Sequence, residues 1–333
     1  MELVNRSRYA AERALVLDGN GGELLAVVLK ATFAWAARRG LSRAEEQPPV
    51  RLADEPYGEP GRSSIRLASD LCPGKPGCDL VLLGRAGRSR PASQVDVLFR
   101  VGTIGREARV FGERRWTGSA AVPDPAPFDS VALTWENAWG GRDEDVPEGE
   151  PGEEDPRNPV GIGFRARKTR RPLAGGRLPH VEDPAQPVRG PTDRPVPAGF
   201  GFVASHWEPR RSFAGTYDAA WRRERAPLPP ADLDPRHHQR GAPGLVAPAP
   251  PPAGTPVAVS GVVPHGEMRF ELPRVVPAGQ VFYRTRKVDL AFSLQTVVVD
   301  ADAALLEMTW GAYESVHGRT RDVECVAVEA EGP

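Results

Sequence analysis

The sequence predicts a mainly β fold: an antiparallel β-sandwich, one large unit or two packed ones, with a long loop-rich central insertion and little helix. Three observations lead there. Short β-branched and aromatic runs recur at roughly one per 10 to 15 residues, with no helical apolar period between them. Glycine and proline make up 35 and 36 of the 333 residues, which places much of the chain in turns and loops. The strand-like runs fill both ends, residues 1–141 and 257–333, and the middle, 142–256, is polar, proline-punctuated and irregular.

The elements follow in order. Residues 14–36 read as a hairpin. A short apolar run at 15–17 meets the turn Asp18-Gly19-Asn20-Gly21-Gly22, and a long strand LLAVVLKATFAW follows at 24–35. The Gly-rich turn lacks the trailing Gly-Lys-Ser/Thr of a phosphate-binding loop, and no helical pattern follows it. Residues 39–59 are polar and loop-like. Strands are expected at 63–69, 79–84, 95–101, 107–111 and 131–135, with a proline-glycine turn at 70–77. In the C-terminal part they are expected at 257–263, 268–272, 280–283, 288–294, 296–299, 305–310 and 323–328. The two terminal regions complete one β-scaffold, and the middle lies over an end or face of it.

The middle has three parts. Residues 143–155 hold eight acidic residues and no basic one, and 165–177 hold six basic residues and no acidic one. The plain reading is two solvated loops. The sharper one is a basic loop that receives an acidic partner or closes over its own acidic neighbour. Next comes PAGFGFVASHWEPRRSFAGTYDAAWRRER, residues 197–225, with six aromatics between Phe200 and Trp221. Its only regular element is a brief helix over 216–225, with Thr216 or Asp218 near its start. Residues 226–256 contain ten prolines in 31 positions, which predicts a mobile, polyproline-like connector.

Bulk properties restrict the function. The net charge of −1 supplies no global field for nucleic acid or an anionic membrane. The N-terminus lacks a signal-peptide pattern, and no stretch approaches the ~18 apolar residues of a spanning helix, so a cytoplasmic protein is expected. Cys72, Cys78 and Cys325 are odd in number and lack zinc-ligand spacing, which predicts reduced structural thiols. Neither a nucleophile elbow nor a zinc-protease motif is present. Folding could assemble Glu136, His206 and Asp218 into the acid/base site of a carbohydrate hydrolase, which is the alternative to a binding protein. The opposite expectation is that Glu136, Asp218, Arg114 and Arg210 hold irregular backbone through hydrogen bonds. No cofactor or metal is implied.

A set of short motifs in fixed order resembles the DUF2169 family. They begin with Lys30-Ala31-Thr32-Phe33, Gly58-Glu59-Pro60 and Ser63-Ser64, then Asp70, Pro73, Lys75-Pro76 and Asp79. Gly112, Arg114 and Trp116 follow, then Glu136 with Gly140-Gly141, and Asn158-Pro159-Val160-Gly161 with Gly163-Phe164. Leu178-Pro179 and Glu182 come next. The series ends with Pro197-Ala198-Gly199-Phe200-Gly201, Trp207, Arg210, Gly215-Thr216-Tyr217-Asp218 and Trp221. The resemblance spans about residues 20–310. It implies a non-enzymatic adaptor or chaperone that binds a type VI secretion effector, or its PAAR-type spike-tip carrier, and assists loading. It brings no catalytic residues. The pattern is departed from after Asp232, where Leu233 to His238 and the proline stretch replace an aromatic-rich continuation, and at Trp310, where a basic residue is expected.

For such an adaptor, Trp139, Trp207, Arg210 and Arg211 are the expected partner contacts, because interface centres favour Trp and Arg. Trp207→Ala is therefore expected to lose partner binding with the fold intact, or to lower the melting temperature. A variant unchanged in both, by pull-down and thermal melt, contradicts either role.

Overall fold

The computed structural model describes residues 1–333. Strands of three or more residues are β1 (Glu2–Asn5), β2 (Ala10–Leu17), β3 (Glu23–Ala36), β4 (Gly40–Arg43), β5 (Ile65–Leu67), β6 (Cys78–Leu83), β7 (Arg85–Ala92), β8 (Gln94–Val101), β9 (Ile104–Phe111), β10 (Phe128–Ala132), β11 (Pro256–Val263), β12 (Gly266–Glu271), β13 (Val276–Tyr283), β14 (Lys287–Asp289), β15 (Ser293–Asp300), β16 (Leu305–Ser315) and β17 (Val323–Glu331). The one α-helix, α1, is Ala219–Glu224. No helix is long and apolar enough to cross a membrane. The protein is mainly β, as its sequence predicts.

Two seven-stranded sheets form the body. The first runs Val246–Ala247, β6, β15, β16, β3, β2, with β4 continuing along the β2 side of β3. The second runs β10, β7, β11, β8, β9, Val181–Glu182, with β12 added to β11. A smaller sheet, β1-β17-β13-β14, holds the two chain ends side by side. The main core, of 56 buried residues, takes side chains from all three sheets.

The burial patterns explain the sequence. In β8, Val95, Val97, Phe99 and Val101 are buried and alternate with more exposed residues, so one face meets the core and the other meets solvent. β3 is buried almost without interruption from Leu25 to Phe33, as expected of a central strand. Leu25, Val27, Leu29, Ala31, Phe33 and Trp35 enter the core on one of its faces. Lys30 is turned the other way and is fully buried.

The structure departs from the sequence expectations in several places. Gly40–Arg43, expected in a loop, forms β4, and the strand expected at 131–135 lies at Phe128–Ala132, with Trp135–Asn137 in a 3-10 turn. β7, RAGRSRPA, has no strand composition, yet it pairs with β10 and β11. Its register depends on Gly87, where a Cβ would lie 2.5 Å from the Asp129 carbonyl oxygen. β15 pairs with β6 in parallel, so the first sheet is mixed. The run expected at 288–294 is broken between β14 and β15, and β15 extends through the separate strand expected at 296–299. The connector 226–256 is ordered. Ala242, Leu245 and Ala247 are buried in the core, Val246–Ala247 pairs with β6, and the Leu80 N–H donates to Leu245 O at 2.9 Å. Proline removes donors from this stretch but leaves Leu245 and Val246 free to pair, and that is enough to fix it.

The aromatic segment divides into two halves. Phe200, Phe202 and Trp207 are in the core, with Trp207 only 1% exposed. Trp207 meets Trp135 edge-on at 6.0 Å, and the Trp135 indole N–H donates to Phe202 O at 2.9 Å. Gly199 lies against the Trp135 ring, where a Cβ would come within 2.6 Å. Beyond Phe213 the chain is at the surface: Asp218 caps α1 through the Trp221 N–H at 2.7 Å, and Tyr217 is 56% exposed.

Buried charges tie these parts together. Asp79 accepts from Lys75 Nζ at 2.6 Å and from the Arg240 backbone N–H at 3.0 Å, and Lys75 also donates to Thr296 Oγ1 at 2.8 Å. Asp70 lies 3.3 Å from Lys30 Nζ and accepts from the Arg51 N–H and the Thr309 hydroxyl, while the Arg51 guanidinium reaches on to Glu307. Removing one partner of such a pair leaves the other charge buried and uncompensated. Lys75→Met is therefore expected to lower unfolding free energy by about 3–5 kcal/mol. Urea denaturation measures it, and a loss below about 1 kcal/mol, the range of an exposed pair, would show that Asp79 does not depend on Lys75.

Candidate functional site

The polypeptide runs unusually close to itself where residues 138–143 meet 158–164. Trp139–Gly140 pairs in parallel with Ile162–Gly163. A Cβ at Gly140 would lie 2.2 Å from Asn158 O, and one at Gly141 would lie 2.5 Å from Gly161 O. Both also have positive φ, 146° and 108°, so glycine is needed on two grounds. Asn158 is fully buried at the crossing and donates from Nδ2 to Trp135 O at 2.8 Å and Trp139 O at 3.0 Å. Pro159 is buried beside it.

Behind this crossing lies a second, small core of Trp116, Trp139, Phe164, Leu178 and Val188. Arg114 closes it. Its guanidinium donates to Glu182 at 2.5 Å and to Pro179 O, and stacks 3.9 Å from the Phe111 ring centroid. Glu182 also accepts the Val188 N–H at 3.0 Å. Motifs that are 60 or more residues apart in the chain therefore meet at one place: Arg114 and Glu182 are 68 apart.

In front of the crossing is an open cleft of about 360 Å³. Arg115, Arg142, Arg165, Arg171 and Arg177 line it together with glycine backbone, and no acidic residue does. A neighbouring cleft of about 560 Å³ shares Arg165 and adds Arg167 and Arg194. The Arg194 guanidinium lies 4.8 Å from the Phe164 ring centroid. No group of three or more His, Cys, Asp or Glu is arranged to hold a metal ion.

The acidic and basic loops close on each other. Asp143 is fully buried; it accepts the Ala166 N–H at 3.1 Å and lies 3.3 Å from the Arg171 guanidinium. Lys168 pairs with Glu150 at 2.5 Å, and Arg142 with Glu154 at 2.8 Å. Burial raises the pKa of Asp143, but the Thr169 hydroxyl, the Ala166 and Asp145 N–H groups and Arg171 together bring it below the ordinary carboxylate value.

Three of the four expected partner contacts are not at the surface. Trp139, Trp207 and Arg210 are buried, at 2%, 1% and 6% exposure, and only Arg211 faces solvent. Their aromatic and guanidinium groups complete the two cores instead. Arg210 donates to Val203 O at 2.6 Å and His237 O at 2.9 Å, and burial lowers its pKa to about 10. Glu136, His206 and Asp218 are each bonded elsewhere. Glu136 accepts the Ser64 N–H and hydroxyl at 2.7 and 2.9 Å, His206 accepts the Trp207 indole N–H at 3.0 Å, and Asp218 caps α1. Gly215 has φ 82° and brings Thr216 to Asp232, whose carboxylate accepts the Thr216 N–H and hydroxyl at 3.0 and 2.8 Å. Trp221 donates to Leu228 O at 2.8 Å. The cleft arginines were not singled out one by one from sequence. Their signal was the basic block, which contains Arg165, Arg171 and Arg177.

Residues 20–311 match the model of a family described as an uncharacterized protein conserved in bacteria, DUF2169. The chain belongs to the DUF2169 family. No curated protein and no solved structure matches it. The DUF2169 match takes in β3 through most of β16, and with them both seven-stranded sheets except β2, the small core and the cleft. β1, β2 and β17 lie outside it.

The lowered pKa of Asp143 sets a pH dependence. Its stabilisation is fully present above the unfolded value near 3.8 and is lost as pH falls through the lower folded value. Asp143→Asn is expected to melt below the parent at pH 7 and to converge on it as the pH drops below about 4. Thermal melts across pH 7 to 2 give the difference, and a constant gap would show that the Asp143 charge is idle.

Proposed function

We propose that this protein is a non-enzymatic adaptor or chaperone that binds a secreted protein and assists its loading. Following the family resemblance, the cargo is a type VI secretion effector or its PAAR-type spike-tip carrier. The observation that carries this reading is how the polar motif residues are used. Lys30 is paired with Asp70, Lys75 with Asp79, Ser64 with Glu136 and Arg114 with Glu182. All are engaged with one another and hold backbone in place. Arg114 and Glu182 close the small core beside an open, charged cleft on a closely pinned crossing. A pre-formed concavity of this kind binds a protein segment with little reorganisation, and its charge selects among partners.

The test is co-expression with the effector and spike-tip proteins encoded beside it. A tagged copy of the chain is expected to retain at least one of them through affinity and size-exclusion steps, and to raise that protein's soluble yield. Failure of both to co-purify ends the reading.

A further inference from the structure

We propose that the arginine-lined cleft docks an acidic, carboxylate-bearing segment of a protein partner. This rests on the protein-binding reading above and gives the partner's chemistry. The first ground is uncompensated charge. Of the five cleft arginines, Arg142, Arg171 and Arg115 have carboxylates of this chain, Glu154, Asp143 and Glu113. Arg165 donates only to the backbone carbonyls of Pro172 and Arg171, and the exposed Arg177 has no carboxylate partner.

The second ground is that the chain demonstrates the chemistry itself. Its acidic loop already supplies carboxylates to guanidiniums of this cleft, through Asp143 on Arg171 and Glu154 on Arg142. A partner's carboxylates meet the same kind of donor at Arg165 and Arg177. The third ground is shape. The two clefts share Arg165, and Arg167 and Arg194 continue the basic surface, so the site is longer than one small anion requires. The glycine crossing beneath is pinned on both sides, which keeps the arginine backbones from moving apart.

The surroundings favour a peptide over nucleic acid. Trp116 and Phe164 line the cleft but are only 5% and 8% exposed, and Trp139 beside them is 2% exposed, so none offers an open face for base stacking.

The experiment is fluorescence anisotropy with a labelled hexaglutamate peptide at roughly 10 mM ionic strength, where the screening length is about 30 Å. The full chain is expected to bind it saturably. Arg115→Ala/Arg177→Ala, both exposed positions, should keep the parent melting temperature and lose about tenfold or more in affinity. Arg165→Ala should weaken binding in the same direction. Arg38→Ala/Arg39→Ala, on the exposed β3–β4 turn, should stay within about twofold, the range of a long-range charge effect. The proposal is overturned by absence of saturable binding, by equal losses in the cleft and control pairs, by displacement with inorganic phosphate at the peptide's own concentration, or by tighter binding of a hexathymidine oligonucleotide. Peptide binding that fails while effector co-purification succeeds removes this site and leaves the adaptor. The reverse result removes the named cargo and leaves the site.

Discussion

The Asp79 carboxylate is the constraint on which the rest of the structure depends. It is fully buried at the start of β6 and takes hydrogen bonds from two parts of the chain, one adjacent and one 161 residues away. Lys75 comes from the turn before the strand, and the Arg240 N–H comes from the proline-rich connector. Lys75 in turn donates to Thr296 on β15. The two hydrogen bonds to Asp79 Oδ2 hold the turn before β6 and the connector together against the first sheet, and Lys75 carries the link on to β15, the parallel neighbour of β6. The second buried set, Lys30, Asp70, Arg51 and Glu307, does the same for the segment that covers the back of β3.

This explains how a chain so rich in proline and glycine holds a definite shape. Few of its irregular stretches have repeating backbone hydrogen bonds. They are held by single side chains aimed at carbonyls: Arg114 at Pro179, Arg210 at Val203 and His237, Arg106 at Gly199, and Asn158 at Trp135 and Trp139. Arginine suits the task because its planar fork serves several acceptors at once. Arg114 and Arg210 are buried outright, at 5% and 6% exposure.

The fold class was legible because strand periodicity is a local property. β3, β6, β8, β11 and β17 each announce themselves by β-branched runs between turn residues. β7 did not, because it is held by neighbours and by the close approach at Gly87, and its own side chains are mostly polar. The parallel pairing of β6 with β15 was equally out of reach, since nothing local encodes which distant strand becomes a neighbour. At the candidate site, the charge blocks and the Gly140-Gly141 and Asn158–Gly161 motifs were visible. Their convergence was not, because it depends on contacts such as Arg114 with Glu182. Trp139 and Trp207 show the limit most clearly. A tryptophan destined for a core and one destined for a partner have the same letter and similar neighbours.

The parallel neighbour of β6 also bears on how the protein is made. Thr296 lies 221 residues beyond the lysine it receives, so β6 keeps one bare edge until nearly the whole chain has been synthesised. β3 waits even longer for β16. Until then, the most apolar strands of the N-terminal region are exposed edges on a growing nascent chain, and long-range pairing of this kind makes folding slow. The first sheet therefore cannot close until β16 has left the ribosome, and until then its open edges can pair with other chains.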